Sequence, residues 1–314
     1  MKARTHKQQV QDILKMLAAF SVLRMVKTMA SKTIYFLFNI HSISRINDAI
    51  LYFGNVFFHN TVTHFLSLCI PFAVAFFIIR YYTEEKSFNW YNAIRFGLGF
   101  TISAVSSYLT QIILSLLLTS TGAGGSAYII YRATWQTASY YALAYLFLPM
   151  QTYCEEYCFR DTLAKNPTLT NFIVSSLLFA YAHLYNPEMS LGPIMLLFYF
   201  SFGIAAALPV YLTGSIDYSW GLHTHNNLNA TLDATSTNSA IPGMSKYIFP
   251  NPTPSDVLTM SLREIINGTI FSGLCYATES ILAVADSDYN KQMTKNDYVS
   301  PHSSGQSAQP VAAY

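Results

Sequence analysis

The chain has 314 residues, of which 52% are hydrophobic and only 11% charged, against about 25% charged in an ordinary soluble domain. That deficit argues against a soluble fold and for a membrane protein, and a net charge of +2 is too small to indicate a nucleic-acid partner. In chain order, residues 1–32 carry Lys2, Arg4, Lys7, Lys15, Arg24 and Lys27 with apolar residues at helical spacing between them. This pattern predicts an amphipathic helix on the inner membrane surface. It lacks the compact apolar core and small-residue cleavage site of a signal peptide.

Eight apolar segments follow. Residues 33–58 are the weakest candidate span, since they contain His41, Arg45 and Asp48. Residues 62–79 and 96–118 are clear candidates, separated by a polar loop with Glu84, Glu85, Lys86 and Arg95, and the second ends in the Gly-rich break 120–125. A third runs from about 137 to 162, with Pro149 positioned to kink it and free backbone groups to line a cavity. Residues 170–186, 192–212, the short polar-rich 217–233 and 262–284 complete the set. The stretch 234–257, with four prolines, reads as a loop, and residues 286–314 as a polar, disordered tail. The expected fold is an all-α, polytopic membrane bundle of about eight helices over 33–285. Basic residues in the loops and at both ends place the N- and C-termini on the cytoplasmic side, with Arg132 the exception.

The four cysteines, Cys69, Cys154, Cys158 and Cys275, lie in apolar segments without C-x-x-C spacing. Neither a disulfide framework nor a zinc finger is expected.

Three groups of polar residues stand inside the apolar segments: Glu155, Glu156 and Arg160; then His183; then His223 and Asn227. Ionisable residues at such depth are costly and functional by default. Measured along the helices from the turns near Lys165 and Ser215, Glu155 lies about 15 Å, His183 about 20 Å and His223 about 12 Å from one membrane face. The three groups can therefore meet near mid-membrane. Glu155 and Glu156 are adjacent and point about 100° apart on a helix of 3.6 residues per turn. Glu156 is spaced to pair with Arg160, which leaves Glu155 to face the cavity as a general base for water. His223 and Asn227 share a helix face and can donate to a developing oxyanion. His225 and Asn229 share the spacing but point elsewhere, as lining or packing.

Glu-Glu-x-x-x-Arg, then Phe-x-x-x-His, then His-x-x-x-Asn, on successive membrane helices, resembles the CPBP family. That family includes the type II CAAX prenyl endopeptidases, the Abi proteins and bacteriocin self-immunity proteins. The resemblance covers about residues 137–233, including Ala182-His183-Leu184-Tyr185-Asn186-Pro187 and Trp220-Gly221-Leu222-His223. It implies an intramembrane endopeptidase acting on membrane-associated or lipidated polypeptides, with Glu155 and His183 on the attacking water and His223 and Asn227 at the oxyanion. Members often carry Gly after the motif arginine; here Asp161 stands there. The favoured mechanism is glutamate-dependent and free of metal. Zinc held by two histidines and a glutamate is the alternative, although no His-Glu-x-x-His helix exists and Asn227 is a poor ligand. Two other functions compete: a non-enzymatic immunity or partner-binding protein, and a proton-relaying transporter. A binder has no need of an intact water base and oxyanion pair, and a transporter should show repeats, which are absent.

Overall fold

The computed structural model describes residues 69–78, 90–117, 128–129, 135–236, 247–249 and 252–297, with single positions elsewhere such as Phe65 and Ser239. The candidate span 33–58 lies outside the described residues, as do all but single positions of the basic segment 1–32. Seven α-helices occur among the described residues: α1 (Cys69–Ile78), α2 (Trp90–Leu117), α3 (Trp135–Lys165), α4 (Leu169–Ala182), α5 (Met195–Thr213), α6 (Ile216–Leu228) and α7 (Pro254–Asp297). The 3₁₀ segment Pro187–Leu191 links α4 to α5, and the π segment Asn229–Asp233 extends α6. The class is all-α, as the sequence leads one to expect. The chain forms two compact units, residues 1–275 and 276–314, and the polar residues singled out above all lie in the first.

Three short strands add a small sheet of order β1-β3-β2. β1 (Tyr128–Ile129) runs antiparallel and β2 (Ala234–Ser236) parallel to the central β3 (Tyr247–Phe249). Two of these strands fall in the proline-containing stretch read from sequence as loop. The last helix also runs past Asp286, where a disordered tail was expected to start, and ends at Asp297.

The surface of the bundle is inverted relative to a soluble protein. On α2, Ser103, Ser106 and Thr110 are buried while Val105, Tyr108 and Leu116 are exposed. On α4, Asn171, Ser175 and Ser176 are buried while Ile173, Leu177 and Tyr181 face outward. Apolar side chains would be driven inward by water; facing out, they suit lipid. Buried hydroxyls then find partners on their own helix, as Ser176 Oγ does at 3.0 Å from the Phe172 carbonyl. Helices α2 and α5 are long and apolar enough to cross a membrane.

Two segments read as spans are shorter than expected. α4 has 14 residues and α6 has 13, or about 20 Å each at 1.5 Å per residue, against a hydrocarbon core of about 30 Å. Both begin on a side-chain cap: Thr168 accepts from the Asn171 N–H at 3.2 Å, and Ser215 from the Asp217 N–H at 3.2 Å. Gly214, at φ 71°, ends α5 in the left-handed conformation that lets the chain turn directly into α6. Both short helices end beside the polar cluster described below.

α6 is held by backbone contact with α2. A Cβ added at Gly221 would lie 2.5 Å from Phe100 N and Phe96 O, and one at Gly99 would lie 2.6 Å from Tyr218 O. Gly221→Ala must therefore push the two backbones away from each other, and overpacking of this kind costs about 1–3 kcal/mol. Gly97→Ala, where a Cβ meets nothing within 4 Å, should be neutral or mildly stabilising. Thermal unfolding of the detergent-solubilised variants checks this. Equal melting for the two would refute the contact.

Candidate active site

The buried carboxylate of Glu156 is the centre of the polar cluster. It is completely inaccessible. Its Oε1 lies 2.7 Å from His223 Nδ1, its Oε2 accepts from the Ser219 hydroxyl, and Arg160 Nε stands 3.4 Å from Oε2. Since a carboxylate accepts, the His223 Nδ1 carries the proton that it donates to Glu156. The imidazole is thereby oriented with Nε2 toward Glu155, 3.6 Å from its Oε2. The pairing of Glu156 with Arg160 read from the helical spacing is present, but Glu156 also reaches α6, which spacing on one helix does not reveal.

Arg160 is also fully buried. Among the described residues its guanidinium nitrogens make no hydrogen bond. Compensation comes from the Glu156 charge and from ring faces: the guanidinium carbon lies 4.4 Å from the Phe179 centroid and 5.6 Å from that of Phe159.

Glu155 meets the other nitrogen of the His223 ring. Its Oε1 accepts from Gln151 Nε2 at 2.6 Å, and Gln151 Oε1 accepts from Asn227 Nδ2 at 2.9 Å. One amide thus ties together the carboxylate on α3 and the asparagine on α6. Glu155 keeps 13% of its side chain accessible, whereas Glu156 keeps none. Further along the same interface, the Thr152 and Thr224 hydroxyls meet at 2.7 Å, and Trp220 Nε1 donates to the Pro149 carbonyl at 2.7 Å.

His183 lies at the C-cap of α4, outside its last helical turn. Its Nδ1 is 2.7 Å from the Phe179 carbonyl oxygen. A carbonyl can only accept, so Nδ1 bears the proton and Nε2 the lone pair of the neutral ring. The imidazole sits between two aromatic rings, Phe179 with centroids 4.3 Å apart and Tyr199 at 4.4 Å. Phe179 also makes an edge contact with His223 at 5.7 Å, so one ring packs against both histidines. Phe202 packs on His223 at 5.1 Å and also touches Phe179 at 5.4 Å.

His225 and Asn229 stand apart from this cluster. His225 Nδ1 contacts the Ser103 hydroxyl of α2 at 2.9 Å, and its ring meets Phe100 edge-on. Both line a separate cavity of about 550 Å³ with Phe100 and Tyr141. The structure thus brings Glu155, Glu156, Arg160, His223 and Asn227 into one bonded network, with His183 joined to it through Phe179.

Sequence reading missed Gln151, Ser219, Tyr199 and Phe202. Gln151 precedes Glu155 by four and Ser219 precedes His223 by four. The stripes Gln151–Glu155 and Ser219–His223–Asn227–Thr231 were therefore available as same-face polar spacings. Tyr199 and Phe202 come from α5, and no pattern in that uniformly apolar helix distinguishes them. Among the described residues, no three His, Cys, Asp or Glu side chains come together as a set of metal ligands.

A bundle of apolar helices thus closes around a network of glutamate, arginine, histidine and asparagine side chains. Residues 134–229, which hold the whole network, match the family model described as type II CAAX prenyl endopeptidase Rce1-like. The resemblance drawn from the three motifs is borne out there. A protein of Bacillus subtilis (strain 168), named as the uncharacterized protein YyaK, is 32% identical over 138 residues. That alignment takes in 40% of this chain and 46% of the relative, so the chain spans less than half the length of the curated relative it matches. No solved structure matches the chain significantly.

The ion pair at the centre can be tested directly. Removing one member of a buried pair costs about 3–5 kcal/mol, because the other is left uncompensated. Arg160→Met and Glu156→Gln should each destabilise strongly, and the two combined should cost less than their sum. Denaturant unfolding of the purified variants reads the coupling; strictly additive losses would show that the two side chains are independent.

Proposed function

We propose that the chain is an intramembrane endopeptidase that hydrolyses peptide bonds of membrane-associated or lipidated polypeptides with a water activated by Glu155. The observation that carries this reading is the division of labour between the adjacent glutamates. Glu156 is sealed and fully engaged, whereas Glu155 keeps 13% of its side chain accessible, and its buried Oε2 lacks a hydrogen-bond partner among the described residues. Glu155 takes a proton from the water as its oxygen attacks the peptide carbonyl carbon. His183 Nε2 assists at the same water. The oxyanion that forms is met from α6. Asn227 Nδ2 spends one N–H on Gln151 and has a second to donate. His223, with Nδ1 held on the Glu156 carboxylate, stands one turn before Asn227 on the same face of α6. The proton held by Glu155 then passes to the leaving amine, and the C–N bond breaks. Gln151, Glu156 and Arg160 orient the reacting groups.

The reading extends to a multi-pass protein with both termini cytoplasmic, and to a substrate whose lipid or apolar anchor keeps its scissile bond at the depth of the site. The prenylated substrate named in the family description fits that requirement.

Glu155→Gln keeps the shape and the bond to Gln151 but removes the base, and general-base assistance is worth about 10²- to 10⁴-fold. Cleavage of a prenylated peptide by the purified variant should fall by at least the lower figure with unfolding temperature unchanged. Near-normal cleavage would remove Glu155 from the mechanism. The second expectation concerns metals. The His223 Nδ1 and both Glu156 oxygens are committed within the protein, and Glu155 Oε1 is held by Gln151, a set better suited to acid–base chemistry than to ligation. Strong chelators should leave turnover intact; loss restored by zinc would favour the metal-dependent alternative.

A further inference from the structure

His183 differs from the other site residues in how it is held. Glu155, Glu156, His223 and Asn227 stand within helices, but His183 is the first residue past the end of α4, at φ −92° and ψ 3°. After it the backbone turns through residues 183–186 into the 3₁₀ segment Pro187–Leu191. Helix ends fray, and an imidazole placed there needs an external support if its nitrogens are to keep one orientation.

Tyr199 of α5 supplies the geometry of such a support. Its ring stacks on the imidazole with centroids 4.4 Å apart and planes 26° apart. It is only 7% exposed, so the stack is an interior contact. The phenol oxygen accepts from Asn186 Nδ2 at 3.1 Å, which leaves its O–H to donate, and it also interacts with the Glu188 side chain. Asn186 and Glu188 both lie in the segment that His183 leads into. The turn, the phenol and the imidazole therefore close a loop: the chain leaving His183 returns to fasten the ring that presses on it. Phe179 bounds the opposite face at 4.3 Å and its carbonyl fixes Nδ1.

We propose that Tyr199, fastened by Asn186 and Glu188, is the positioning residue that locks the His183 imidazole with Nε2 presented to the reacting water. The kinetic consequence rests on the protease reading above; the effect on the imidazole itself does not.

Nitrogen-15 spectra of histidine-labelled protein in detergent, with the His183 signals assigned by His183→Gln, read the ring directly. The native protein should show one neutral tautomer, with the proton on Nδ1. Tyr199→Leu should give averaged tautomer signals and lower kcat by about tenfold or more, as misplacement of a reacting group does, with KM little changed. Tyr199→Phe and Glu188→Ala keep an aromatic ring in the core, so they carry the test even if the leucine variant does not fold. Each should produce the same change to a smaller degree, and together no more than either alone. Glu188→Gln, which can still accept from the phenol, should restore native spectra and kcat. Unchanged His183 signals in these variants overturn the proposal, even if activity falls. Altered signals in a protein that cleaves no prenylated peptide would uphold the positioning role and remove the protease reading instead.

Discussion

The burial of Glu156 is the constraint from which the arrangement of α3, α6 and the site follows. A carboxylate taken out of water needs a cation and hydrogen-bond donors within reach. Arg160, one turn along the same helix, supplies the cation, but two N–H or O–H donors must come from another element. Ser219 and His223 provide them, and their four-residue spacing fixes which face of α6 turns to α3. Once that face is set, Asn227 follows one turn later and is brought to Gln151. The orientation of the whole network thus derives from satisfying one buried anion. A buried pair of this kind contributes little net stability; its effect is to specify a single geometry.

The same logic explains how polar residues can occupy the interior of a bundle whose outside is apolar. Ser106 and Thr231 hydroxyls bond to carbonyls within their own helical segments, Thr152 and Thr224 bond to each other, and Arg160 rests on aromatic faces. Phe179 serves three such purposes at once, touching Arg160, His183 and His223. Phe-x-x-x-His is therefore more than a spacing: its carbonyl sets the histidine tautomer, and its ring touches both imidazoles.

Much of this is legible in the sequence because depth in a helix is counted in residues. The distances of Glu155, His183 and His223 from their turns agree by residue counting alone, and the structure unites the first and third directly. The four-residue stripes on α3 and α6 also carry the polar contacts. Three features are not legible. The end of α4 at His183 is set by the turn that follows, while the apolar pattern continues through Leu184. The strands at Ala234–Ser236 and Tyr247–Phe249 are too short to leave an alternation. Tyr199 is one aromatic among many in α5, and only its neighbour in space distinguishes it. Glu156 shows the limit of pairwise spacing, since its partner one turn away is visible but its partners on α6 are not.

The contact between Gly99 and Gly221 has a mechanical meaning. Where helices meet through side chains, a change of rotamer lets one slide on the other. Here backbone meets backbone, and no deformable layer lies between. α2, with its apolar side chains turned outward, is the helix on which the thickness and lateral pressure of a bilayer would act. Any such load passes without slack to α6, the helix bearing His223 and Asn227. The turns at Gly192 and Gly214, which join α5 to its neighbours with positive φ, lie outside that contact.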